Sequence, residues 1–326
     1  MPKKNHFILD KIGYAILLMI TRAMQYTPRK VSFFIGSMVG SLLWTVLKLE
    51  KKRIIYSVEN LRRLYPDKPE AELRQIVKAV CRHFGQAYSQ LSLLEISTPK
   101  ELKDLVIFEG FENFEKAWKM DRGVIFATAH FGHFELANAI FAAMGYPVYS
   151  VIRTVDNRYV DRLFDNLRGG PGLKIIKKER AAQEIIRRLR EKAIVTAAID
   201  INAGMNQMFT PFFGELASTF TTPATFGMRI GSPILPVLSF RDERNDKYIV
   251  RIHPIVEVKD TGDRHADVRL VTMEINEIVE NAIRQAPEQW LWIHRRWKTR
   301  PTKGDVKAHE REMKIIESAM KNRTGV

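Results

Sequence analysis

A histidine and a glutamate five residues apart, His130 and Glu135, have the chemistry and the position expected of an acid–base pair. The histidine follows an apolar run at residues 124–129, and such a run is typical of a strand buried on both faces. Imidazole titrates near neutral pH, so a histidine at a strand end can act as a general base once a carboxylate orients its ring. The alternative is a structural hydrogen-bonded pair, because so short a pattern has low specificity.

A second carboxylate, Asp200, follows another predicted strand at residues 194–199. Five residues rotate an α-helix by about 500°, so His130 and Glu135 would not share a face within one helix. The histidine must therefore lie in the turn between strand and helix. The sequence leaves open whether Glu135 or Asp200 holds its ring, and whether Asp200 is instead a helix or turn cap.

The segment His-Phe-Gly-His-Phe-Glu at residues 130–135 resembles the HX4(D/E) motif of glycerolipid and lipid A acyltransferases. Within that group it is similar to the lipid A biosynthesis (lauroyl/myristoyl) acyltransferase family. Asp200 matches an acidic position of the family, although Ile201 departs from its Asp-Gln pattern, and His133 stands where Asn is common. The most specific resemblance is the segment Gln-Trp-Leu-Trp-Ile-His-Arg-Arg-Trp-Lys at residues 289–298.

The resemblance implies two sets of site residues. The catalytic set is His130, Glu135 and Asp200. The set expected to contact substrate is Arg153, Asn157, Phe212, Phe213, Gly214, Trp290, His294, Arg295 and Arg296. The guanidinium of Arg153 suits a phosphate group, and a surface salt bridge is an equal alternative. The tryptophans between residues 290 and 297, set among cations, suit a bilayer–water interface or stacking on single-stranded nucleic acid.

The net charge of +15 is concentrated at the two ends of the chain. Residues 1–66 contain 12 Lys or Arg and 3 Asp or Glu, and residues 284–326 contain 11 and 5, so the body between them is neutral. Such ends indicate an anionic partner, which is a membrane surface, a nucleic acid or an acidic protein. The lone cysteine, Cys81, excludes an internal disulfide.

Two apolar stretches with basic flanks, residues 13–20 and 31–47, favour the membrane among these partners. The second is 17 residues long, which is the lower limit for crossing a bilayer. Within it, Gly36 and Gly40 form a GxxxG pattern that lets another helix approach closely. We expect attachment in the plane of the membrane rather than a span. The resemblance implies the cytoplasmic face of a bacterial inner membrane.

From Gly123 onward, predicted strands and helices alternate, which indicates an α/β fold with a mostly parallel or mixed sheet covered by helices. The resemblance implies a glycerolipid-acyltransferase-like fold with N-terminal hydrophobic helices. The predicted strands are 124–129, 148–153, 173–176, 194–199, 234–240 and 248–253. The predicted helices of the body are 66–82, 135–143, 158–167, 181–191, 224–230 and 271–284. We expect three parts, namely membrane-associating helices at 1–66, an acyltransferase domain at 67–300 and a charged tail at 301–326.

The expected activity is transfer of a fatty acyl chain from an acyl-carrier-protein or coenzyme A thioester to a hydroxyl of a glycolipid such as a lipid A precursor. His130 is the expected general base, and no cofactor besides the thioester, no metal and no nucleic-acid partner is expected. A phospholipid or lipoamino acid acceptor is the alternative within this class. Outside it, a metal-dependent hydrolase would use His130 and His133, and a nucleic-acid-binding membrane protein would use the basic ends.

Overall fold

The structure is a computed structural model that describes residues 7–178 and 181–324. Residues 1–6 and 325–326 of the predicted terminal segments lie outside this description, as do residues 179–180. The strands of the described chain are β1 Val106–Glu109, β2 Val124–Thr128, β3 Val148–Ile152, β4 Lys174–Lys177, β5 Ile194–Ala198, β6 Met208–Phe212, β7 Glu215–Thr219, β8 Ile234–Asp242 and β9 Lys247–Ile252.

Seven of these strands form one sheet with the spatial order β1-β9-β8-β2-β5-β3-β4. Neighbouring strands are parallel, except that β8 and β9 are antiparallel. The predicted α/β fold with a mostly parallel sheet is therefore confirmed. The other two strands, β6 and β7, form a separate antiparallel hairpin that was not predicted.

The strand that ends at the HX4E segment, β2, lies in the middle of the sheet between β5 and β8. All five of its residues are buried, which explains the nearly continuous apolar run in the sequence. Its register with β5 pairs Thr128 with Ala198, so the two strands end side by side at the same edge.

The described chain contains twelve α-helices, several of which pack against the sheet. They are α1 Phe7–Gln25, α2 Arg29–Leu49, α3 Lys51–Arg62, α4 Glu70–Leu94, α5 Pro99–Asp104, α6 Phe111–Lys119, α7 Phe134–Ala143, α8 Arg158–Gly169, α9 Ala181–Arg190, α10 Thr222–Ile230, α11 Arg264–Gln285 and α12 Lys303–Thr324. Among the described helices, α2 alone is long and apolar enough to cross a membrane by length and composition.

Small residues bring α2 into close contact with α4. A Cβ atom placed on Gly36 would lie 2.6 Å from the carbonyl oxygen of Gly85, and one on Gly40 would overlap the backbone of Cys81. The pair of hydroxyl groups on Ser32 and Ser89 adds a hydrogen bond of 2.6 Å between the same helices. The GxxxG pattern therefore does allow the close helix approach that the sequence predicted.

The predicted charged tail contains a helix, α12, that packs on α11. Its Glu312 accepts a hydrogen bond of 2.7 Å from Nε of Arg269, and both side chains are buried. Arg269 also donates to the carbonyl oxygen of Phe209 in β6. This buried ion pair fixes the described part of the tail against the hairpin.

Candidate active site

His130 and Asp200 meet because their strands are neighbours. Each residue follows its strand by two positions, and Thr128 in β2 is in register with Ala198 in β5. The ring Nδ1 of His130 lies 2.9 Å from Oδ1 of Asp200, and the backbone N–H of His130 donates to Oδ2 at 2.8 Å. The pair therefore lies at the carboxyl edge of the sheet, where parallel α/β folds place their ligands.

Asp200 receives a third hydrogen bond from Trp290, whose indole N–H donates to Oδ2 at 2.8 Å. The carboxylate has no exposed surface. Burial alone would raise its pKa, but the charge of His130 and the hydrogen bonds from His130 and Trp290 outweigh that effect, so the pKa of Asp200 is lowered. Asp200 is thus an ionised carboxylate held rigidly by three donors.

The same pair determines how His130 can react. Burial opposes its charged form, yet the charge of Asp200 and their hydrogen bond prevail, so the pKa of His130 is raised above its ordinary value. With Nδ1–H donating to Asp200, the lone pair of the neutral ring is on Nε2. A quarter of the His130 side chain is exposed, so the ring can meet a substrate.

Glu135, the acid of the HX4E segment, is paired elsewhere. Its Oε1 accepts two hydrogen bonds from Arg168 at the end of α8, at 2.9 Å from Nε and 2.7 Å from Nη2. Both side chains are largely buried, with 7% of Glu135 and 12% of Arg168 exposed. The structure therefore answers the question that the sequence left open, since Asp200 holds the ring of His130. The charge of Glu135 still favours the protonated form of His130, while that of Arg168 opposes it.

Glycine at position 132 is required by the turn between His130 and α7. Gly132 has a φ of +57°, and a Cβ atom there would overlap the carbonyl oxygen of Ser239. Its N–H donates to the carbonyl of Gln289 at 2.9 Å, and its carbonyl lies 3.1 Å from Nε2 of His83. The N–H of Gly132 is therefore engaged within the protein, and the next helix along the chain, α7, begins two residues later at Phe134.

The tryptophans of the 289–298 segment form a buried aromatic cluster. Trp290, Trp292 and Trp297 are 1%, 0% and 4% exposed, and the rings of Trp290 and Trp292 meet edge to face at 4.6 Å. The expectation that they lie at a surface, against lipid or nucleic-acid bases, is wrong in this structure. Their apolar area is buried against the hairpin, while the indole N–H groups of Trp290 and Trp292 find internal partners.

Phe212 and Phe213, predicted near substrate, pack in this cluster. The ring of Phe212 lies 5.5 Å from Trp290, and Phe213 lies 5.8 Å from Trp292. Phe213 and Gly214 form the turn between β6 and β7 with φ values of +48° and +76°. The structure thus packs this segment against Trp290, the residue that donates a hydrogen bond to Asp200.

Three other predicted residues connect the same segment to its surroundings. Arg296 is fully buried and donates to Thr219 at 2.6 Å and to the carbonyl of Ser218, and burial lowers its pKa to about 10. Nε2 of His294 accepts the backbone N–H of Asn202 at 3.0 Å, and burial lowers its pKa to about 4. Arg295 is exposed, with its guanidinium 4.3 Å from the centre of the Tyr56 ring.

Arg153 and Asn157 lie beyond the end of β3. Arg153 is exposed. The side-chain oxygen of Asn157 caps α8 by accepting the N–H of Tyr159 at 2.9 Å, and its amide donates to the carbonyl of Asp10 at 2.8 Å. The amide of Asn157 thus ties α8 to α1, and the substrate contacts of both residues stay predictions.

His133, the second histidine of the segment, is buried and lies 5.4 Å from the ring of Tyr248. Burial lowers its pKa to about 3. Within residues 7–178 and 181–324, no group of three or more His, Cys, Asp or Glu side chains is arranged to hold a metal ion. The geometry at His130 is that of a histidine–carboxylate pair.

Two residues that support the site were not singled out in the sequence. Arg168 lies 33 residues from its partner Glu135, so no local pattern connects them. Gln289 accepts the N–H of Arg241 through its side chain and the N–H of Gly132 through its carbonyl. Gln289 is the first residue of the segment at 289–298, and that position was the only sign in the sequence that it could matter.

Comparisons with known proteins identify the family of this chain. A model of the family described as bacterial lipid A biosynthesis acyltransferase matches residues 2–299. A lipid A biosynthesis acyltransferase of Haemophilus influenzae is 26% identical, over 91% of this chain and 94% of the relative. The lipid A biosynthesis palmitoleoyltransferase of Escherichia coli is 26% identical over 84% and 87%, and its lauroyltransferase is 25% identical over 90% and 92%.

The match therefore spans the N-terminal helices, the sheet with His130 and Asp200, and the segment that carries Trp290. The chain covers most of the length of each relative. The protein is an acyltransferase, and it belongs to the bacterial lipid A biosynthesis acyltransferase family.

Proposed function

We propose that this enzyme moves a fatty acyl chain from a thioester, carried by acyl carrier protein or coenzyme A, to a hydroxyl group of a lipid A precursor. The observation that carries the proposal is the hydrogen bond between His130 and Asp200 at the carboxyl edge of the sheet. The names of the relatives support lipid A as the acceptor class. The acceptor lies in a membrane, and we place the enzyme on the cytoplasmic face of the bacterial inner membrane.

In the proposed mechanism, Nε2 of His130 removes the proton of the acceptor hydroxyl as its oxygen attacks the thioester carbonyl. The new C–O bond forms, the C–S bond breaks, and the imidazolium returns the proton to the departing thiolate. Asp200 fixes the ring tautomer and stabilises the imidazolium, as the acid does in a hydrolase triad. This sequence of steps requires no acyl-enzyme.

Two further groups assist this step. The backbone N–H groups in the first turn of α7, from Phe134 onward, stabilise the oxyanion that forms on the thioester carbonyl. Glu135 contributes negative charge and, through Arg168, ties α7 to α8. In this proposal Glu135 is a positioning residue and Asp200 is the partner of the base.

The test is an acyl-transfer assay on the full chain in detergent. The enzyme is incubated with a radiolabelled acyl-carrier-protein or coenzyme A thioester and a bacterial lipid extract, and labelled lipids are separated. Wild type is compared with His130→Ala and with His265→Ala, a matched control at an exposed histidine at the start of α11.

We expect label in a lipid A precursor with wild type and His265→Ala, and none with His130→Ala. Label in a phospholipid or a lipoamino acid would replace the proposed acceptor. Full activity of a correctly folded His130→Ala variant would overturn the mechanism.

A further inference from the structure

Helices α1 and α2 each expose a row of large apolar side chains spaced by about one helical turn. The rows are Ile8, Ile12, Ile16 and Met19 on α1, and Phe34, Met38, Leu42, Val46 and Leu49 on α2. We call these two rows the apolar stripes. Soluble monomers rarely leave large apolar patches in water, so the apolar stripes indicate surfaces that are covered by a partner.

The charges around the apolar stripes favour an anionic lipid surface. Lys30 lies in the first turn of α2 and Lys48 in its last turn, and Lys51 and Lys52 follow at the start of α3, all exposed to solvent. Residues 1–66 contain 12 basic and 3 acidic residues. Anionic headgroups attract such a rim, whereas a second copy of the same basic surface would be repelled.

The packing of α2 opposes a transmembrane position. The face opposite the exposed row lies against α4 through Gly36 and Gly40. Close to this contact, α4 exposes Lys78 and Arg82. If α2 crossed the bilayer, α4 would be drawn into the hydrocarbon together with these charges, which is unfavourable.

The polar side chains on the exposed face of α2 are adapted to lipid contact. Ser41 donates to the carbonyl of Ser37 at 2.9 Å, and Thr45 donates to that of Ser41 at 3.0 Å. Both hydroxyl groups are therefore satisfied within the helix and need no water.

We propose that the apolar stripes rest in one leaflet of an anionic membrane, with α2 in the plane of the bilayer and both of its ends on the same side. This inference adds the mode of attachment to the proposed function. The surface of a phosphatidylglycerol-containing bilayer is the partner, recognised by apolar burial in its centre and by lysine–phosphate contacts at its rim.

The first experiment locates the two ends of α2 in cells. Tyr26→Cys precedes the helix and Lys51→Cys follows it, and both positions are exposed. The native Cys81 is buried and its thiol pKa is raised by burial to about 11, so it serves as an unreactive internal control. A membrane-impermeant maleimide is applied to spheroplasts and, separately, to inverted inner-membrane vesicles.

We expect both introduced cysteines to react in the same preparation. Reaction of one in spheroplasts and of the other in inverted vesicles would establish a span and overturn the proposal. Labelling does not depend on acyl transfer, so this inference and the proposed function can fail separately.

The second experiment measures flotation of the full chain with phosphatidylethanolamine–phosphatidylglycerol vesicles. We expect Phe34→Gln/Leu42→Gln to bind about tenfold more weakly or worse, because two large side chains lose apolar burial. A matched control, Met120→Gln/Val258→Gln, changes two exposed apolar residues outside the apolar stripes and should float like wild type. If the Phe34→Gln/Leu42→Gln variant floated like wild type, the proposed lipid partner would be contradicted. The same holds if this variant lost self-association and kept its flotation.

Discussion

The indole N–H of Trp290 and the carboxylate of Asp200 are joined by a hydrogen bond of 2.8 Å, although 90 residues separate them. The same oxygen, Oδ2, also accepts a hydrogen bond from the backbone N–H of His130. The other oxygen, Oδ1, accepts one from the ring Nδ1–H of His130. Phe131 forms an antiparallel bridge with Trp290, so backbone and side-chain contacts act together. The tryptophan-rich segment is therefore part of the support of the proposed base.

Trp290→Phe removes this donor while keeping an aromatic ring. We expect kcat to fall by roughly 10- to 100-fold, since a hydrogen bond to a charged group contributes about 1.5–3 kcal/mol. The negative charge of Asp200 would also be stabilised by one hydrogen bond fewer, so it would raise the pKa of His130 further. The acidic limb of the pH–rate profile should then move to higher pH. Steady-state kinetics across pH measure both effects.

The matched control for that variant is Trp292→Phe. The indole N–H of Trp292 donates to the carbonyl of Pro287 at 2.7 Å, so this change replaces indole by phenyl and removes a hydrogen bond in the same cluster without touching Asp200. Its acidic limb should stay at the wild-type pH. An equal displacement in both variants would show that Trp290 acts through packing alone.

Asp200→Asn and Glu135→Gln separate the two carboxylates near His130. An amide at position 200 neither fixes the tautomer nor stabilises the imidazolium, so we expect kcat to fall by about 10³- to 10⁴-fold. Glutamine at position 135 can still accept from Arg168, and we expect a loss within about tenfold. The acyl-transfer assay compares them, and an equal loss would assign the orienting role to Glu135 instead.

The pH–rate profile should reflect the raised pKa of His130. A general base must be neutral, so activity is present above its pKa and is lost as pH falls through it. Because Asp200 raises this pKa from 6.5, the acidic limb of kcat/KM should lie above pH 6.5. In Asp200→Asn the residual activity should have its acidic limb at lower pH. A wild-type limb below 6.5 would argue against His130 as the base.

Most of the sheet was predictable because its central strands are buried on both faces. Residues 124–129 and 194–199 are apolar runs interrupted only by one threonine each, and they coincide with β2 and β5 to within one residue. β1 was missed, because it has four residues with alternating exposure and pairs with a strand far along the chain. The β6–β7 hairpin was missed because Pro211 and the Phe213-Gly214 turn resemble a loop.

For the site, the sequence placed His130 and Asp200 at strand ends but did not show that they touch. That contact depends on β2 and β5 being neighbours in the sheet, and strand order is not encoded in a local pattern. The partner of Glu135 lies on a different helix, so spacing could not identify Arg168. Tryptophans among cations indicated a surface, and only the fold shows that they pack on the hairpin.

Acid should destabilise the fold through two buried histidines. Burial lowers the pKa of His83 to about 4 and that of His133 to about 3, against 6.5 in the unfolded chain. The unfolded chain therefore binds more protons below pH 6.5, and stability falls as pH falls from there. Each of the two histidines should lower the free energy of unfolding by about 2 kcal/mol as the pH falls from 6.5 to 5.

Urea unfolding at pH 7 and pH 5 measures this loss. His294, whose pKa is also lowered by burial to about 4, adds to this loss, whereas His130 opposes it because its pKa is raised, so the wild-type change combines these effects. His83→Gln/His133→Asn should lose less stability on acidification than wild type, and the exposed-site control His265→Gln should lose as much. The same acid sensitivity in all three would contradict the assignment.

Glycine at position 36 should be required for α2 to pack on α4. Gly36→Ala places a methyl group 2.6 Å from the carbonyl oxygen of Gly85, and relieving that overlap should cost about 1–3 kcal/mol. Gly13→Ala is the matched control, because a Cβ atom there meets nothing within 4 Å and alanine favours the helix by about 0.5–1 kcal/mol. Urea unfolding should show a lower free energy of unfolding for Gly36→Ala and a higher one for Gly13→Ala, each relative to wild type. A neutral Gly36→Ala would mean that the helices separate at little cost, and the contact with α4 would then not prevent α2 from crossing the bilayer.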